Sequence, residues 1–470
     1  MKKVKFGTDG WRAIINEDFN DENIAQVIQA FSDIKQTQNN KKIYIGYDRR
    51  NKAETSAKFI ASILAKNNFT PILASSFCPT PCISWMVKEN DALAGIIVTA
   101  SHNPANWNGI KFKESYGGAA SAEYTNEIED QIDKNLSTNK KPLIGDYEKL
   151  LQENLIKLFD PFADYVTHLQ NYLNVSLIQK ANYKIAFDPL FGAGTNYVNK
   201  ILNMDVAQIH SEADITFGGL NPEPIASNLQ ELKETVLKLN ADVGLSTDGD
   251  ADRIGAFTEQ GAFVSSHQIF ALLLLHNIRH RQMTGDVIKS ISTTGLINSI
   301  CQKHNLTLVE TPIGFKHISQ ELLKRNGLMG GEESGGISIR DHVLERDGVL
   351  NGLLLVEMMA VNNKSLSALI ADMDNEFGKF HIVRKDYHLS DDKISAVKEL
   401  ILTANFPAIG NTTPVKHDTR DGTKTTFSDD SWLLARASGT EPLVRVYAEA
   451  KSPERVAELH AFAQEFFKIS

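Results

Sequence analysis

The sequence predicts an α/β protein with three related mixed α/β domains followed by a C-terminal α+β domain. Three segments, beginning near Ile43, Lys184 and Asp286, share one pattern: a short apolar strand, a polar or glycine-bearing turn and an amphipathic helix. Strands that alternate with helices predict βαβ units and mostly parallel sheets. The tail instead shows alternating strands at 432–435 and 444–448, which predicts a separate α+β domain.

The elements follow in order along the chain. The first strand, 43–48, precedes a helix over 56–66, and the second, 184–188, enters the turn Gly192-Ala193-Gly194. The third strand, 286–291, leads to a helix near 296–304. In the tail, a helix is expected over 453–468.

The 470 residues correspond to three or four domains, since an ordinary domain holds about 150 residues. We expect the boundaries to fall at 1–160, 161–264, 265–375 and 376–470.

Composition excludes several classes of protein. The formal net charge is -9, and no Lys/Arg-rich block is present, so nucleic acid is not an expected partner. The longest apolar run, near 269–275, is shorter than the roughly 20 residues that span a bilayer, and Met1-Lys2-Lys3-Val4 leads into no hydrophobic signal segment. We therefore expect a cytoplasmic protein with no membrane partner. Cys78, Cys82 and Cys301 are interpreted as packing residues.

Ser101 is the first candidate functional residue. It follows the apolar stretch 95–98 and lies in the small-residue run 99–104, so its hydroxyl emerges from a predicted buried strand into a turn. A nucleophile could be presented there. A serine in such a turn is also commonly only a turn former or a helix N-cap, and the local sequence leaves both interpretations open.

The run Asp248-Gly249-Asp250-Ala251-Asp252-Arg253 is more specific. Three carboxylates within five residues repel one another unless a cation or strong donors neutralise them, and Mg²⁺ prefers oxygen ligands. The same spacing of aspartates occurs at the start of an EF-hand calcium loop, and Glu259 would be the twelfth residue of such a loop. Arg253 stands where that loop needs glycine, and the flanks have the pattern of strands. Together with Ser101, the triplet favours phosphoryl transfer on a metal.

Two cations accompany these motifs. Arg12 ends the run 6–12, whose glycines and hydroxyl suit close backbone approach to an oxyanion, although an ordinary surface turn has the same composition. Lys111 follows Ser101 by ten residues between apolar neighbours. It is a candidate proton shuttle or phosphate clamp, and the alternative is an edge-strand lysine that faces water.

Two further loops carry polar groups. The glycine-rich run 330–336 presents Glu332 and Ser334, acceptors suited to sugar hydroxyls, although a solvated turn is an alternative. The run 436–442 combines an arginine, two hydroxyls and backbone N–H groups around a glycine, with Arg445 on the next predicted strand. This is the composition of an anion nest.

The four ordered motifs resemble the α-D-phosphohexomutases, the family of phosphoglucomutases, phosphomannomutases and phosphoglucosamine mutases. The resemblance covers nearly the whole chain. It implies four domains that each contribute one loop to a central cleft. It also implies interconversion of hexose 1-phosphate and hexose 6-phosphate, of glucose and/or mannose, through a phosphoserine at Ser101. A hexose 1,6-bisphosphate would be the intermediate and activator.

The resemblance implies a role for each residue. Mg²⁺ would be held by the phosphoserine and the aspartate triplet, and the catalytic set would be Ser101, His102, Lys111 and Arg12. The substrate-binding set would be Glu332, Ser334, Arg436, Ser438, Gly439, Thr440, Arg445, Arg253, Lys316 and His342. Many family members have histidine directly after the Ser-Gly of the sugar loop, where this chain has Gly336, and His342 is the expected substitute. The Glu332-Glu333-Ser334 form favours glucose-type substrates over glucosamine-type ones.

Three alternatives stay open. One is phosphoglucosamine mutase activity, the second is a sugar-phosphate binding protein without turnover, and the third is a phosphatase. The expected partner is a small phosphosugar, and the expected state is a monomer or homodimer.

Overall fold

The computed structural model describes residues 4–437 and 443–469, without the side chains of Asp391 and Asp392. The chain divides into two compact units. The first comprises Met1–Asp286 and Gly314–Leu369, and the second comprises Val287–Ile313 and Ile370–Ser470.

The strands in the described residues are β1 (Trp11–Ile14), β2 (Lys42–Tyr47), β3 (Thr70–Ala74), β4 (Ala94–Val98), β5 (Trp107–Lys113), β6 (Lys157–Phe159), β7 (Ile185–Asp188), β8 (Ala207–Gln208), β9 (Val243–Thr247), β10 (Ile254–Thr258), β11 (Phe263–Val264), β12 (Val287–Ser290), β13 (Leu308–Thr311), β14 (Met329–Gly331), β15 (Ile337–Ile339), β16 (His381–His388), β17 (Pro414–Asp418), β18 (Thr423–Phe427), β19 (Trp432–Ala437) and β20 (Leu443–Ala450).

The helices are α1 (Asp21–Lys35), α2 (Ala53–Lys66), α3 (Thr80–Glu89), α4 (Ala122–Ser137), α5 (Tyr147–Gln152), α6 (Ala163–Tyr172), α7 (Val175–Ala181), α8 (Tyr197–Leu202), α9 (Gln230–Leu239), α10 (Ser266–Arg279), α11 (Leu296–Lys303), α12 (Phe315–Arg325), α13 (Gly348–Asn362), α14 (Leu366–Phe377), α15 (Asp391–Thr403) and α16 (Pro453–Phe467). The strand-turn-helix segments predicted from the sequence are therefore confirmed, with shifts of a few residues at their ends.

The first sheet, in the first unit, has the strand order β1-β5-β4-β2-β3-β6. Strands β4, β2, β3 and β6 are parallel neighbours, whereas β5 is antiparallel to both β4 and β1. Its core is an apolar cluster that includes Phe31, Ile45, Ile60 and Ile96. The loop between β4 and β5 carries Ser101, so this residue lies at the carboxyl end of a buried strand.

The second sheet, also in the first unit, has the order β11-β10-β9-β7-β8. Strand β7 is parallel to β8 and β9, whereas β10 is antiparallel to β9 and β11. The loop between β9 and β10 carries the aspartate triplet, and a third loop, between the antiparallel strands β14 and β15, carries Glu332 and Ser334. The expectation of mostly parallel sheets needs correction: each of these loops joins antiparallel neighbours, because connections this short can reverse the chain but cannot cross over.

The second unit contains the parallel pair β12 and β13 and an antiparallel sheet of order β16-β20-β19-β18-β17. Its apolar core includes Phe406, Leu433, Val446 and Leu459, the last of them on α16. The α+β character predicted for the tail is confirmed, and the tail shares its compact unit with β12 and β13.

The structure also bears on the expectations for the cysteines and for membrane-spanning helices. Cys78, Cys82 and Cys301 are buried and free, as packing residues should be. Within the described ranges, no single helix is long and apolar enough to cross a membrane. The helices α13 and α14 together have the length and apolar composition of a membrane span, but they are bent by 81° at the break between them. Buried core helices of other proteins have the same composition.

We predict that His210 stabilises the first unit in a pH-dependent way. Its Nδ1 lies 3.1 Å from the Asp188 carboxylate and its Nε2 lies 2.8 Å from Glu231, and the hydrogen bond with Asp188 is the main reason that its pKa is raised to about 9. The stabilisation should be complete below the unfolded-state pKa of about 6.5 and lost as the pH rises through about 9. His210→Gln should lower the free energy of unfolding by on the order of 1 kcal/mol at acidic pH.

Urea denaturation at pH 6 and pH 10 measures this effect. Equal losses at the two pH values would contradict the prediction. His460→Gln is a matched control, because the His460 ring faces a backbone carbonyl rather than a carboxylate.

Candidate active site

The Ser101 loop is held in one conformation by a buried ion pair. Ser101 has a left-handed backbone conformation, with φ of 52°, and its N–H donates to Thr99 Oγ1 at 2.8 Å. Thr99 donates in turn to Asp48 at 2.6 Å, and Asp48 pairs with Arg50 at 3.2 Å. Arg50 donates to the carbonyls of Ser101 and Asn103. A serine with positive φ is uncommon, and these bonds show what maintains the conformation.

The aspartate triplet has the geometry of a cation site. Asp248, Asp250 and Asp252 are all fully buried, and one ligand atom from each lies within 4.8 Å of the others. Oδ1 of Asp250 and Oδ1 of Asp252 are buried and have no hydrogen-bond partner among the described residues. Buried carboxylate oxygens without partners are costly, and a hard divalent cation takes such oxygens as ligands. The donor set therefore fits Mg²⁺.

The pKa values of Asp248 and Asp250 reflect the crowding of charges around them. Burial, together with the charges of Asp252 and Asp250, raises the pKa of Asp248 well above its usual range. Burial alone would also raise the pKa of Asp250, but Lys111 and Thr80 outweigh it and lower that pKa. A bound divalent cation would relieve the repulsion among these carboxylates.

The serine loop and the metal loop are in direct contact. Ser101 Oγ donates to Asp248 Oδ2 at 2.7 Å. A Cβ on Gly249 would lie only 2.5 Å from the Ser101 carbonyl oxygen, so only glycine allows the two backbones this close. The hydroxyl of Ser101 consequently lies next to the predicted metal ligands.

Lys111 is the central cation of the site. It lies on β5, is 1% exposed and donates to Asp250 at 2.8 Å and to Asp252 at 2.9 Å, with Asp9 also at 2.8 Å. Burial alone would lower the pKa of Lys111, but the three carboxylates outweigh it and raise the pKa above its usual range. The alternative of a solvent-facing edge-strand lysine is therefore wrong.

Asp9 and Arg346 were missed by sequence reasoning. The guanidinium of Arg346 is 2.5 Å from Asp9, 2.7 Å from Asp252 and 3.3 Å from Glu332. Asp9 lies within the glycine-bearing run 6–12, which could have drawn attention to it. Arg346 stands in a charged run, Glu345-Arg346-Asp347, whose composition is also that of an exposed turn, so no local signal marks it.

The remaining predicted cations and His102 surround Ser101. His102 Nδ1 lies 3.3 Å from Ser101 Oγ, and burial, followed by Arg253 and Arg12, holds the pKa of His102 well below its usual range. Arg12 donates to Asn103 at 2.7 Å. Arg253 lies 3.9 Å from both Asp248 and Asp252, close enough to offset their charge.

The sugar loop is joined to the metal loop through the backbone. The N–H of Ile254, which follows the metal loop, donates to the Gly335 carbonyl at 3.3 Å. Ser334 Oγ donates to Glu332 at 2.7 Å, and Glu332 is buried, which is the main reason that its pKa is raised. Lys316, in the first turn of α12, lines a small cavity together with Thr8 and Asp9.

His342 is placed apart from this cluster. It is 2% exposed, its Nε2 lies 2.8 Å from Asp347, and its Nδ1 lies 2.8 Å from His168 Nε2. Both ring nitrogens are therefore occupied by protein partners, and none is left for a sugar hydroxyl. The prediction that His342 replaces the histidine missing at Gly336 is not supported by this geometry.

In the second unit, Arg436 and Arg445 are paired across adjacent strands. They are opposite each other in the register of β19 and β20. Like charges in this position destabilise a sheet unless an anion lies between or beside them. Each charge has an acidic neighbour: Asp421 accepts from Arg436 Nε at 2.6 Å, and Asp386 lies 3.8 Å from Arg445 Nε. The predicted residues Ser438, Gly439 and Thr440 lie outside the described residues.

Comparisons with known proteins agree with this arrangement. Models of phosphoglucomutase/phosphomannomutase match four segments in order: alpha/beta/alpha domain I over 3–139, domain II over 163–261, domain III over 265–377 and the C-terminal domain over 393–465. A phosphoglucomutase/phosphomannomutase of Thermococcus kodakarensis is 32% identical over 459 residues, which is 96% of each chain.

Other relatives have different names. A phosphoglucosamine/phosphogalactosamine mutase of Sulfurisphaera tokodaii is 30% identical over 458 residues, again 96% of each chain. The crystal structure of a candidate phosphomannomutase from Thermus thermophilus superposes with a TM-score of 0.86 at 28% identity and covers 99% of each chain. The predicted fold class is confirmed, and the chain belongs to the phosphoglucomutase/phosphomannomutase family of α-D-phosphohexomutases.

Proposed function

We propose that this protein interconverts hexose 1-phosphate and hexose 6-phosphate, with glucose and/or mannose as the sugar. The observation that carries the proposal is the 2.7 Å hydrogen bond from Ser101 Oγ to Asp248, within a buried carboxylate triplet that Lys111 contacts. A hydroxyl, a cation site and a fixed ammonium at one point are the parts that phosphoryl transfer needs, because positioning and charge stabilisation supply most of its catalysis.

The reaction proceeds by two transfers. In the working form, the P–O bond of phosphoserine 101 breaks and a new bond forms to a free sugar hydroxyl, which loses its proton. The product is a hexose 1,6-bisphosphate, and Ser101 Oγ regains a proton. After the bisphosphate turns over, Ser101 Oγ loses its proton and attacks the phosphorus of the other phosphate. The P–O bond from that phosphorus to the sugar breaks, and the sugar oxygen takes up a proton, which gives the isomeric monophosphate and phosphoserine 101. Added bisphosphate acts as an activator because it rephosphorylates any free Ser101.

Protein groups near Ser101 can manage this proton. Asp248 already accepts the hydroxyl hydrogen, and the lowered pKa of His102 leaves a neutral imidazole 3.3 Å away as a second acceptor. Lys111 and Arg12 complete the proposed catalytic set, and the raised pKa of Lys111 keeps its ammonium charged, which suits charge stabilisation. Bound Mg²⁺, with phosphoserine 101 and the triplet as ligands, would supply positive charge to the transferring phosphoryl oxygens.

Substrate binding is divided among three groups of residues. Glu332 and Ser334 are proposed to hold sugar hydroxyls, and Arg253 and Lys316 to contribute positive charge. Arg436 and Arg445, with Ser438, Gly439 and Thr440, are proposed to grip the phosphate that is not being transferred. The cross-strand arginine pair supports this assignment because two guanidinium groups on adjacent strands can both donate to one phosphate. We also propose the four domains at 1–160, 161–264, 265–375 and 376–470, a cytoplasmic location, and a monomer or homodimer.

Phosphoglucosamine mutase activity is the second candidate, because relatives of nearly equal identity have both kinds of name. The Glu332-Glu333-Ser334 loop favours a glucose-type substrate. A sugar-phosphate binding protein without turnover is disfavoured, because Ser101, the triplet and Lys111 are together in one buried cluster.

We predict that the wild type converts at least one of glucose 1-phosphate, mannose 1-phosphate and glucosamine 1-phosphate to its 6-phosphate. The reaction should require Mg²⁺ and a trace of the matching 1,6-bisphosphate. Ser101→Ala should lower kcat about 1,000-fold or more, because it removes the hydroxyl that carries the phosphoryl in the proposed reaction. A coupled assay measures both, and it ranks the sugars.

Ser62→Ala is the matched control, since Ser62 is equally buried but donates to a helix carbonyl on α2. Full activity in Ser101→Ala would overturn the assignment. Steady release of inorganic phosphate without the isomer would indicate a phosphatase.

We predict that Asp250→Asn weakens Mg²⁺ binding about tenfold or more, because it removes one of three carboxylate charges from the site. Calorimetric titration of Mg²⁺ measures the affinity without sugar. Asp146→Asn, at the N-cap of α5, is the control. An unaltered titration in Asp250→Asn would count against the metal site.

We predict that Arg436→Ala raises KM for every phosphosugar by about tenfold to 100-fold, because a charge-assisted hydrogen bond to phosphate contributes in the ground state and transition state alike. Steady-state kinetics with each sugar separates KM from kcat. A loss confined to kcat would contradict the role of a distal phosphate grip.

A further inference from the structure

Arg346 lies where three loops of the first unit meet. Its guanidinium is 2.5 Å from Asp9 in the N-terminal loop, 2.7 Å from Asp252 in the metal loop and 3.3 Å from Glu332 in the sugar loop. Its Nε also lies 3.2 Å from Glu345. The side chain is 2% exposed, so it contributes to the site and not to the surface.

A planar guanidinium suits this position better than an ammonium would. Its five N–H donors leave the side chain in fixed directions, so one group can bind several carboxylates at once and hold them at set distances. Here Nη2 contacts Asp9 and Asp252, while Nη1 contacts Glu332. The distance between Glu332 and Asp252 is thereby determined by one rigid group.

We propose that Arg346 is a positioning residue that sets Glu332, the proposed sugar ligand, relative to Asp252, the proposed metal ligand. The inference rests on the proposed function for the identity of those two ligands. It assigns to Arg346 a second effect, which is to offset the negative charge that Asp252 and Asp9 present to the cation site.

Gly336 provides independent support, because the stem of Arg346 occupies the space beside it. A Cβ on Gly336 would lie 2.1 Å from Arg346 Cδ and 2.7 Å from its Cγ. The stem cannot simply move aside, since carboxylates hold the guanidinium and the Phe315 ring lies 5.1 Å from its centre. Arg346 in this position therefore requires glycine at 336, and the two residues form a coupled pair.

The direction in which Mg²⁺ affinity changes when Arg346 is removed distinguishes the proposed role from a merely structural one. Asp252 also accepts from Lys111 at 2.9 Å, and its N–H donates to Asp248 at 2.9 Å, so the metal ligands keep their places without Arg346 while Glu332 loses a partner that fixes its position. A residue that merely held the metal ligands in place would weaken Mg²⁺ binding when it is removed. Removal of a positive charge that contacts Asp252 should instead strengthen Mg²⁺ binding, because the cation then meets more uncompensated negative charge. The two roles thus predict opposite results.

The first experiment measures Mg²⁺ binding to Arg346→Met by calorimetry without sugar. We expect the Kd to fall about fivefold or more, because the charge is removed while most of the volume is kept. Arg346→Lys, which keeps the charge but not the planar fork, should bind Mg²⁺ as the wild type does and should show a raised KM for the phosphosugar. An unchanged or larger Kd in Arg346→Met would overturn the proposal.

Arg281→Met is the matched control. Arg281 is also a largely buried arginine of the first unit, and it pairs with Glu357 at 2.9 Å. Its replacement should lower the thermal stability and leave the Mg²⁺ affinity unchanged. A similar gain in Mg²⁺ affinity in this control would show that the effect is not specific to Arg346 and would overturn the proposal.

The second experiment is a double-mutant cycle read by thermal unfolding. Gly336→Ala should lower Tm in the wild-type background and have little effect in the Arg346→Ala background, because the atoms that clash with the new methyl group are gone. Additive effects would overturn the coupling. The Mg²⁺ titrations and the unfolding cycle do not depend on turnover, so failure of the mutase assignment would appear in the Ser101→Ala assay and not in these two measurements.

Discussion

The buried charge network of the first unit is the constraint on which its chemistry depends. Carboxylates of Asp9, Asp250 and Asp252 share the ammonium of Lys111, and Asp9 and Asp252 also contact Arg346. Buried charges are costly to desolvate, and such a network is favourable only when each group has a partner of opposite charge. Removal of one cation leaves carboxylates unpaired in a low-dielectric interior, so the arrangement tolerates few substitutions.

Short connections between neighbouring strands form the three functional loops of the first unit. Each of the three loops in the first unit connects antiparallel neighbours, and the metal loop also accepts backbone hydrogen bonds from the starts of two helices, α3 and α13. Thr80 N–H donates to the Asp250 carbonyl, and Gly348 N–H donates to the Ala251 carbonyl. Ser101 and Ala251 both have positive φ without being glycine, which is unfavourable in isolation. The contacts between loops compensate for that cost and keep the nucleophile in one place.

Burial also bears on the choice of reaction. Ser101 is fully buried beside Asp248, so a phosphoryl group on its oxygen would be shielded from bulk water by its own loop and the metal loop. Exclusion of water favours transfer between serine and sugar over hydrolysis. In the proposed function a different part of the site, the Glu332 and Ser334 loop, would select the sugar. Relatives of the same family are named for different hexoses.

The sequence by itself determined the fold class, the order of the elements, the four motif loops and the candidate metal ligands. These features are local. Apolar periodicity indicates strands and helices, and Asp248, Asp250 and Asp252 occupy alternate positions of one short run. Local sequence cannot show which residues pack against a side chain. For this reason it left open a solvent-facing Lys111, and it suggested a sugar-binding role for His342, whose ring nitrogens face Asp347 and His168.

Only the tertiary structure decided which charges meet. Asp9, Lys111, Asp252, Glu332 and Arg346 are separated by up to 337 residues, and none of them has a local pattern that points to the others. The glycine at 336 likewise has no explanation in its own loop, because the atoms that require it belong to Arg346. Ion pairs between distant residues depend on how the loops pack in space, and packing is a property of the whole folded unit that spacing along the chain does not contain.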